Sequence, residues 1–264
     1  SQAASNLEAK AKPLEKILSK KLGVPVKISM STDYNTVVEA MKSKKVDVGF
    51  LPPDGYVLAH KQKAADVLLQ ALRYGVKQPG GKATNKLVKV YRSEILVKKG
   101  SKIKSWKDLK GKKIAVQNAT SSAGYIFPIA ELKEKGLDLT KKGNANLVTV
   151  TGHDQAVLDV LNGDVDAAFT FEDARNTVLA DQPNIMKKVV PIYFTKSIPN
   201  DTISVRSDMS SSFRKKLSKA FESLRKDKKS LKIIESIYSH EGYTPSKDSD
   251  FNIVRKYDKM AATK

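Results

Sequence analysis

The feature that most constrains this chain is a unit it uses twice. "VKISMSTDYNTVVEAMKSKKVDVGFLPPD" (residues 26–54) is echoed by "LVTVTGHDQAVLDVLNGDVDAAFTFED" (residues 147–173). Each copy reads as a strand, a polar turn carrying an aspartate (Asp33, Asp154), a short amphipathic helix, and then Val-Asp leading into a small apolar strand. Val46-Asp47 matches Val165-Asp166, Phe50 matches Phe169, and Asp54 matches Asp173. Any two strand–helix–strand units share an outline, but the matched positions favour a true internal repeat, about 120 residues apart, and hence two lobes of like build. Strands alternating with helices predict an α/β fold with mostly parallel sheets.

The remaining segments fit that plan. "AKPLEKILSKKLG" predicts a helix with Pro13 in its first turn, a stripe of Leu14, Ile17, Leu18 and Leu22, and a stop at Gly23. "VPVKISM" predicts a strand. Val37, Ala40 and Met41 are expected on one face of the next helix, and "VDVGFL" is a buried strand. In "SKIKSWKDLKGKKIAVQ" a short helical turn ends at Gly111 and "KKIAVQ" is a strand. The C-terminal part, with "SSSFRKKLSKAFESLRKD" and "KSLKIIESIY", is helical and is expected to pack on one lobe.

Composition narrows the function. No run approaches the roughly 18 apolar residues of a membrane helix. Cysteine is absent, which excludes disulfides and a thiol nucleophile. With three histidines and no His/Asp spacing suited to a metal, an enzyme built on a metal cluster or activated nucleophile is not expected. The net charge of +20 raises the question of nucleic acid. The lysines are dispersed along the chain, however, and suit a solvated coat beside an anionic membrane or cell wall.

The stretch "QNATSSAGY" (residues 117–125) carries the chemistry. A strand ends near Gln117, and hydroxyl residues then precede a helix with Ile126, Ile129 and Ala130 on its face and Gly136 at its end. Pro128 is expected to bend that helix or limit its first turns. A helix N-terminus offers unpaired N–H groups and partial positive charge. One hydroxyl suffices for a cap; Thr120, Ser121 and Ser122 together suit a tetrahedral oxyanion. In a two-lobed α/β protein the polar turns after strands face the cleft, so His153 in "TGHD" is expected near the same place.

The segments "STDYNTVVEAMKSKKVDVGFLPPDGYVLA", "IKSWKDLKGKKIAV", "TSSAGYIFP", "GHDQAVLDVLNGDVDAAFTFED" and "IPNDTISVR" occur in an order that resembles the phosphonate/phosphite-binding proteins of bacterial ABC transporters, within the type II periplasmic-binding-protein fold. The resemblance covers most of the chain. It implies that Thr120, Ser121, Ser122 and His153 hold the phosphonate oxygens, that Tyr34 and Tyr91 line the pocket, and that Glu172 and Asp173, with Asp201 a further candidate, meet any amine on the ligand. The family reads Ser-Thr-Ser-Gly-Tyr where this chain has Ser121-Ser122-Ala123-Gly124-Tyr125, so Thr120 would replace the hydroxyl lost at Ala123. Thr170 and Glu172 fall on the strand face opposite Phe169 and Phe171, and which face meets the ligand is open.

The same resemblance implies one lobe of residues 1–91 plus 203–264 and an inserted lobe of residues 92–202. It implies an extracytoplasmic, lipid-anchored monomer that takes phosphonate, phosphite or phosphate into the interlobe cleft and docks on a permease. No cofactor, metal or nucleic acid is expected. Sulfonate or a cationic solute on the same fold is the alternative. A leader, an anchor and the first strand of the sheet are expected ahead of Ser1.

Overall fold

In the computed structural model, which describes residues 4–31 and 33–262, the first element is the helix α1 (Ala4–Leu22). It begins earlier than its proline suggests, because the apolar stripe of Leu14, Leu18 and Leu22 extends back through Ala11. Pro13 therefore lies inside the helix, where it removes one backbone bond, and not in its first turn. Gly23 closes the helix at φ 69, its N–H bonding the Ser19 carbonyl.

The chain then forms α2 (Tyr34–Lys42), β1 (Val48–Leu51), α3 (Pro53–Lys61) and β2 (Ala65–Ala71), followed by β3 (Arg73–Lys77), β4 (Lys82–Val88) and β5 (Val90–Lys98). Next come β6 (Lys113–Val116), α4 (Phe127–Glu134), β7 (Asn146–Thr149), α5 (His153–Asn162), β8 (Ala167–Phe171), α6 (Ile185–Lys188) and β9 (Val189–Pro199). The last elements are β10 (Thr202–Arg206), α7 (Ser211–Ser223), α8 (Lys228–Tyr238), β11 (Tyr243–Pro245) and α9 (Asn252–Ala261).

Two compact units result. The first holds the chain up to Tyr74, Leu87–Lys89 and Pro199–Asn252. Its sheet runs β1-β10-β2-β11, with each pairing antiparallel, because β10 and β11 return against strands laid down early in the chain. Its core joins Leu14, Leu18 and Leu22 to Leu69, Ile203, Leu217 and Phe221. The second holds Gly75–Lys86, Val90–Ile198 and the chain from Ile253 onward. Its sheet runs β7-β6-β8-β5-β9; β6 is parallel to β7 and β8, and β5 is antiparallel to β8. The architecture is α/β, with one antiparallel and one mixed sheet where mostly parallel ones were expected.

Two expectations about boundaries change. The C-terminal helix α9 belongs to the second unit, not the first: Tyr257 is buried and its hydroxyl donates to Glu131 of α4 at 3.0 Å. "VPVKISM" is extended but is not a strand. Its N–H groups at Val26, Ile28 and Met30 bond Ser19, Glu15 and Glu8 of α1, so helix side chains serve one edge. Residues 24–31 line a groove of about 1290 Å³ together with Val48, Gly49 and Phe50 of β1. In α2 the buried face is Val38 and Met41, with Val37 and Ala40 half-buried beside it. Both copies of the repeat keep turn, helix and strand, and Asp33 caps α2 through its side chain as the pattern implies.

Candidate functional site

The hydroxyl-rich turn belongs to the second unit. β6 and β7 are parallel neighbours in register from Lys113↔Asn146 to Val116↔Thr149, so the turns that follow them leave the sheet at the same end. The carboxyl end of β8 and the start of β5 lie at that end too, since Ser93 pairs with Phe171. Ligands in open α/β sheets bind outside the carboxyl ends of the strands.

After β6, Ser121 is the N-cap: its hydroxyl accepts from the Gly124 N–H at 3.1 Å. The next turn, Ser122–Ile126, is wide, with Ile126 bonding the Ser121 carbonyl and Phe127 the Ser122 carbonyl. Pro128 supplies the reason. It has no N–H to offer the Gly124 carbonyl, which instead accepts from the Gln117 N–H at 3.0 Å. Ser122 is buried to 8% exposure within this turn. Thr120 is exposed, and its N–H and hydroxyl both donate to Asn118 Oδ1, at 3.0 and 2.6 Å.

Gln117 ties this turn to the one after β7. Its Nε2 donates to the Gly152 carbonyl at 3.0 Å and its Oε1 accepts from the Gly152 N–H at 3.1 Å. Gly152, at φ 91, caps α5, whose first residue is His153. The His153 ring lies 4.7 Å from the Phe171 ring, and its buried Nδ1 has no hydrogen-bond partner among the described residues. Burial lowers its pKa to about 4, against a smaller opposing effect of Asp154. The imidazole is therefore neutral at pH 7, with one donor and one acceptor nitrogen.

Four expected residues, Thr120, Ser121, Ser122 and His153, thus sit on two turns joined by hydrogen bonds. Tyr91 is half-buried in β5 at the same end of the sheet. Glu172 is there as well, but its carboxylate is engaged: Oε1 accepts from the Arg92 N–H at 3.0 Å and Oε2 from Arg92 Nε at 3.2 Å. Asp173 stands half-buried at the start of the short helical turn Ala174–Val178. Tyr34 and Asp201 belong to the first unit. Tyr34 opens α2, packed against Gly55, where a Cβ would lie 3.1 Å from its ring. Asp201 is half exposed, 3.8 Å from His240 Nε2.

Three contributors carry no site signal in the sequence: Gln117 marks only a strand end, Phe171 only one face of an apolar strand, and Ser93 stands in no motif. The buried Ser93 hydroxyl donates to the Ala123 carbonyl at 2.6 Å and pins the wide turn to β5. The pairings of Gln117 and Ser93 lie 30 or more residues apart, and Phe171 meets His153 across a helix and a strand, all beyond local pattern.

Comparison with known proteins shows the family. Residues 1–251 match the family described as the periplasmic phosphonate substrate-binding protein of ABC transporters. The Phosphate-import protein PhnD of Mycolicibacterium smegmatis is 30% identical over 189 residues, covering 69% of this chain; the chain spans 56% of that protein's length. The Phosphonates-binding periplasmic protein of Escherichia coli K12 is 24% identical over 262 residues, 96% of this chain and 71% of that one. Among solved structures, PhnD1 of Prochlorococcus marinus in complex with methylphosphonate shares the fold, with a TM-score of 0.71 at 18% identity over 98% of this chain and 94% of that one. The chain belongs to the family of periplasmic phosphonate substrate-binding proteins of ABC transporters.

Proposed function

We propose that this chain captures a small phosphorus oxyanion outside the cytoplasm and delivers it to the permease of an ABC importer, without making or breaking a bond. The two compact units are the lobes of that fold. The observation that carries the reading is the pair of turns joined by Gln117: capped helix starts, serine and threonine hydroxyls and a neutral imidazole face one end of one sheet. Hydroxyl, N–H and neutral imidazole donors suit an oxyanion, whose charge they meet without adding a competing cation. The names of the two curated relatives, one for phosphate and one for phosphonates, support the same ligand class. Family membership supports the extracytoplasmic location and the permease partner.

Thermal unfolding against phosphite, methylphosphonate, phosphate and sulfate tests this. A ligand at 100 times its dissociation constant stabilises by about 2.7 kcal/mol. Stabilisation by at least one phosphorus oxyanion and not by sulfate is expected. No shift with any phosphorus compound at millimolar concentration refutes the reading.

A further inference from the structure

The groove beside residues 24–31 in the first unit is too large to be a packing defect, since folded interiors hold few voids bigger than a water molecule. Two backbone edges border it. β1 ends its sheet, with β10 as its partner in the strand order. The Arg206 N–H bonds the Asp47 carbonyl, so by alternation Gly49 and Leu51 turn their backbone groups to β10, and Val48 and Phe50 turn theirs to the other edge. Along the second edge, Val26, Ile28 and Met30 donate to α1 side chains. The N–H groups of Lys27 and Ser29, on the alternate side, meet no acceptor among the described residues. Val26, Ile28, Val48 and Phe50 pack on the core yet stay only partly buried. Unpaired, apolar edges of this kind are where another strand adds.

The internal repeat says what fits between them. In the second copy, β7 stands for residues 26–29 and β8 stands for β1. There β6 lies between β7 and β8, parallel to both. Among the described residues of the first unit, β6 has no counterpart. Chain order agrees, because β6 leads through α4 into β7, and α1 leads into residues 24–31. Direction agrees as well. Ser19, Glu15 and Glu8 accept in turn from Val26, Ile28 and Met30, so α1 runs antiparallel to that segment and starts at its Met30 end. A strand parallel to residues 24–31 finishes at the same end, next to the start of α1. Helices cover both faces of β1: a Cβ at Gly49 would press on Met41 and Val37 of α2, and Phe50 packs on Phe221 of α7 and Tyr238 of α8. A strand beside β1 is thus buried on both faces and needs a continuous apolar run, not an alternating one.

We propose that this groove seats a parallel, apolar strand as long as β6, four residues, carried by the polypeptide ahead of residue 1. It pairs with residues 24–31 on one edge and with β1 on the other. The repeat also sets its register: its second and third residues lie against Val48 and Gly49, as Ile114 and Ala115 lie against Ala167 and Ala168. The first sheet then reads residues 24–31, the added strand, β1, β10, β2 and β11, matching the order of the second.

Hydrogen exchange tests this on the 264-residue chain, alone and with the sequence of residues 112–117, Lys-Lys-Ile-Ala-Val-Gln, joined ahead of Ser1. Alone, the Val48 and Phe50 amides are expected to exchange at least about tenfold faster than those of Gly49 and Leu51, and Lys27 and Ser29 to exchange as freely. The extension is expected to slow all four by at least about tenfold. An extension with its Ile and Val replaced by Asp is expected not to. The polypeptide carrying its own preceding residues is expected to protect the same four amides. Protection of the four in the chain alone overturns the proposal: if it rises with protein concentration, a second copy fills the groove, and if it does not, the chain closes the groove itself. Unchanged exchange with both the borrowed and the native extension overturns it too.

Discussion

Gly124 shows how tightly the candidate site is built at the scale of single residues. A Cβ added there would sit 2.3 Å from Gln117 Cγ and 2.9 Å from Ser121 Oγ. Its backbone is helical, so the constraint is space and not φ. Gly124→Ala is expected to cost roughly 1–3 kcal/mol by forced repacking, and to break the bridge from Gln117 to Gly152. Denaturant unfolding measures the first effect; loss of methylphosphonate binding measures the second. His153 makes a different prediction. Its pKa falls from 6.5 to about 4 on folding, so above pH 6.5 it contributes nothing to the pH dependence. As pH falls from 6.5 toward 4 the unfolded chain takes the proton and the folded one does not, and up to about 3 kcal/mol of stability is lost. In His153→Gln the fall in stability between pH 7 and pH 4.5 should be correspondingly smaller by urea titration; an equal fall in both proteins would contradict a buried neutral imidazole. Glu94 runs the other way. Burial raises its pKa well above the usual carboxylate value, against the pull of Arg175. It therefore costs stability as pH rises above its ordinary value, and Glu94→Gln should stabilise the protein at pH 7, with the gain gone at pH 4, as read by urea unfolding at the two pH values. The hydroxyls and His153 were legible in sequence because caps and turns are local. Gln117 and Ser93 were not, because their roles depend on contacts between distant strands.

At the scale of elements, the same distinction separates what the pattern told from what it hid. The repeat located α2 with β1 and α5 with β8, since helical periodicity and the Val-Asp entry to each strand are local signals. It did not locate the partner of "VPVKISM", and an extended run becomes a strand only when another backbone completes its ladder. It also did not assign α9, whose docking is a matter of Glu131. That buried side chain accepts from the Tyr193 hydroxyl at 2.7 Å, the Lys196 N–H at 2.8 Å and the Tyr257 hydroxyl at 3.0 Å, and so joins α4, β9 and α9. Burial, with Glu131 itself, holds both tyrosine hydroxyls protonated as donors by raising their pKa values. Glu131→Leu would leave three donors without an acceptor. At about 1–3 kcal/mol for each group left unsatisfied, a loss of several kcal/mol is expected by chemical denaturation. Hydrogen exchange should also show α9 opening well before β6 and β8. Uniform protection across α9 in the variant would mean that apolar packing alone docks it.

For the whole molecule the net charge is the property that sequence states outright: 48 lysines and arginines stand against 28 acids. Part of that charge is spoken for by ion pairs, as where Arg206 meets Asp47 at 3.0 Å and Asp208 at 2.8 Å. Most of it is a dispersed coat. Such a coat gives little base-specific grip on nucleic acid, but it produces a long-range positive potential that an anionic ligand feels before contact. The field is screened over about 10 Å at 0.1 M salt, whereas hydrogen bonds inside a formed site are screened far less. Salt should therefore act on capture and not on retention. The association rate of methylphosphonate is expected to fall by about tenfold between 10 mM and 0.3 M sodium chloride, read by stopped-flow tryptophan or dye fluorescence, while the dissociation rate changes by less than about twofold. A dissociation rate that rises in step with salt would place a lysine ammonium in direct contact with the ligand, and would overturn a site built from hydroxyls, backbone N–H groups and a neutral histidine.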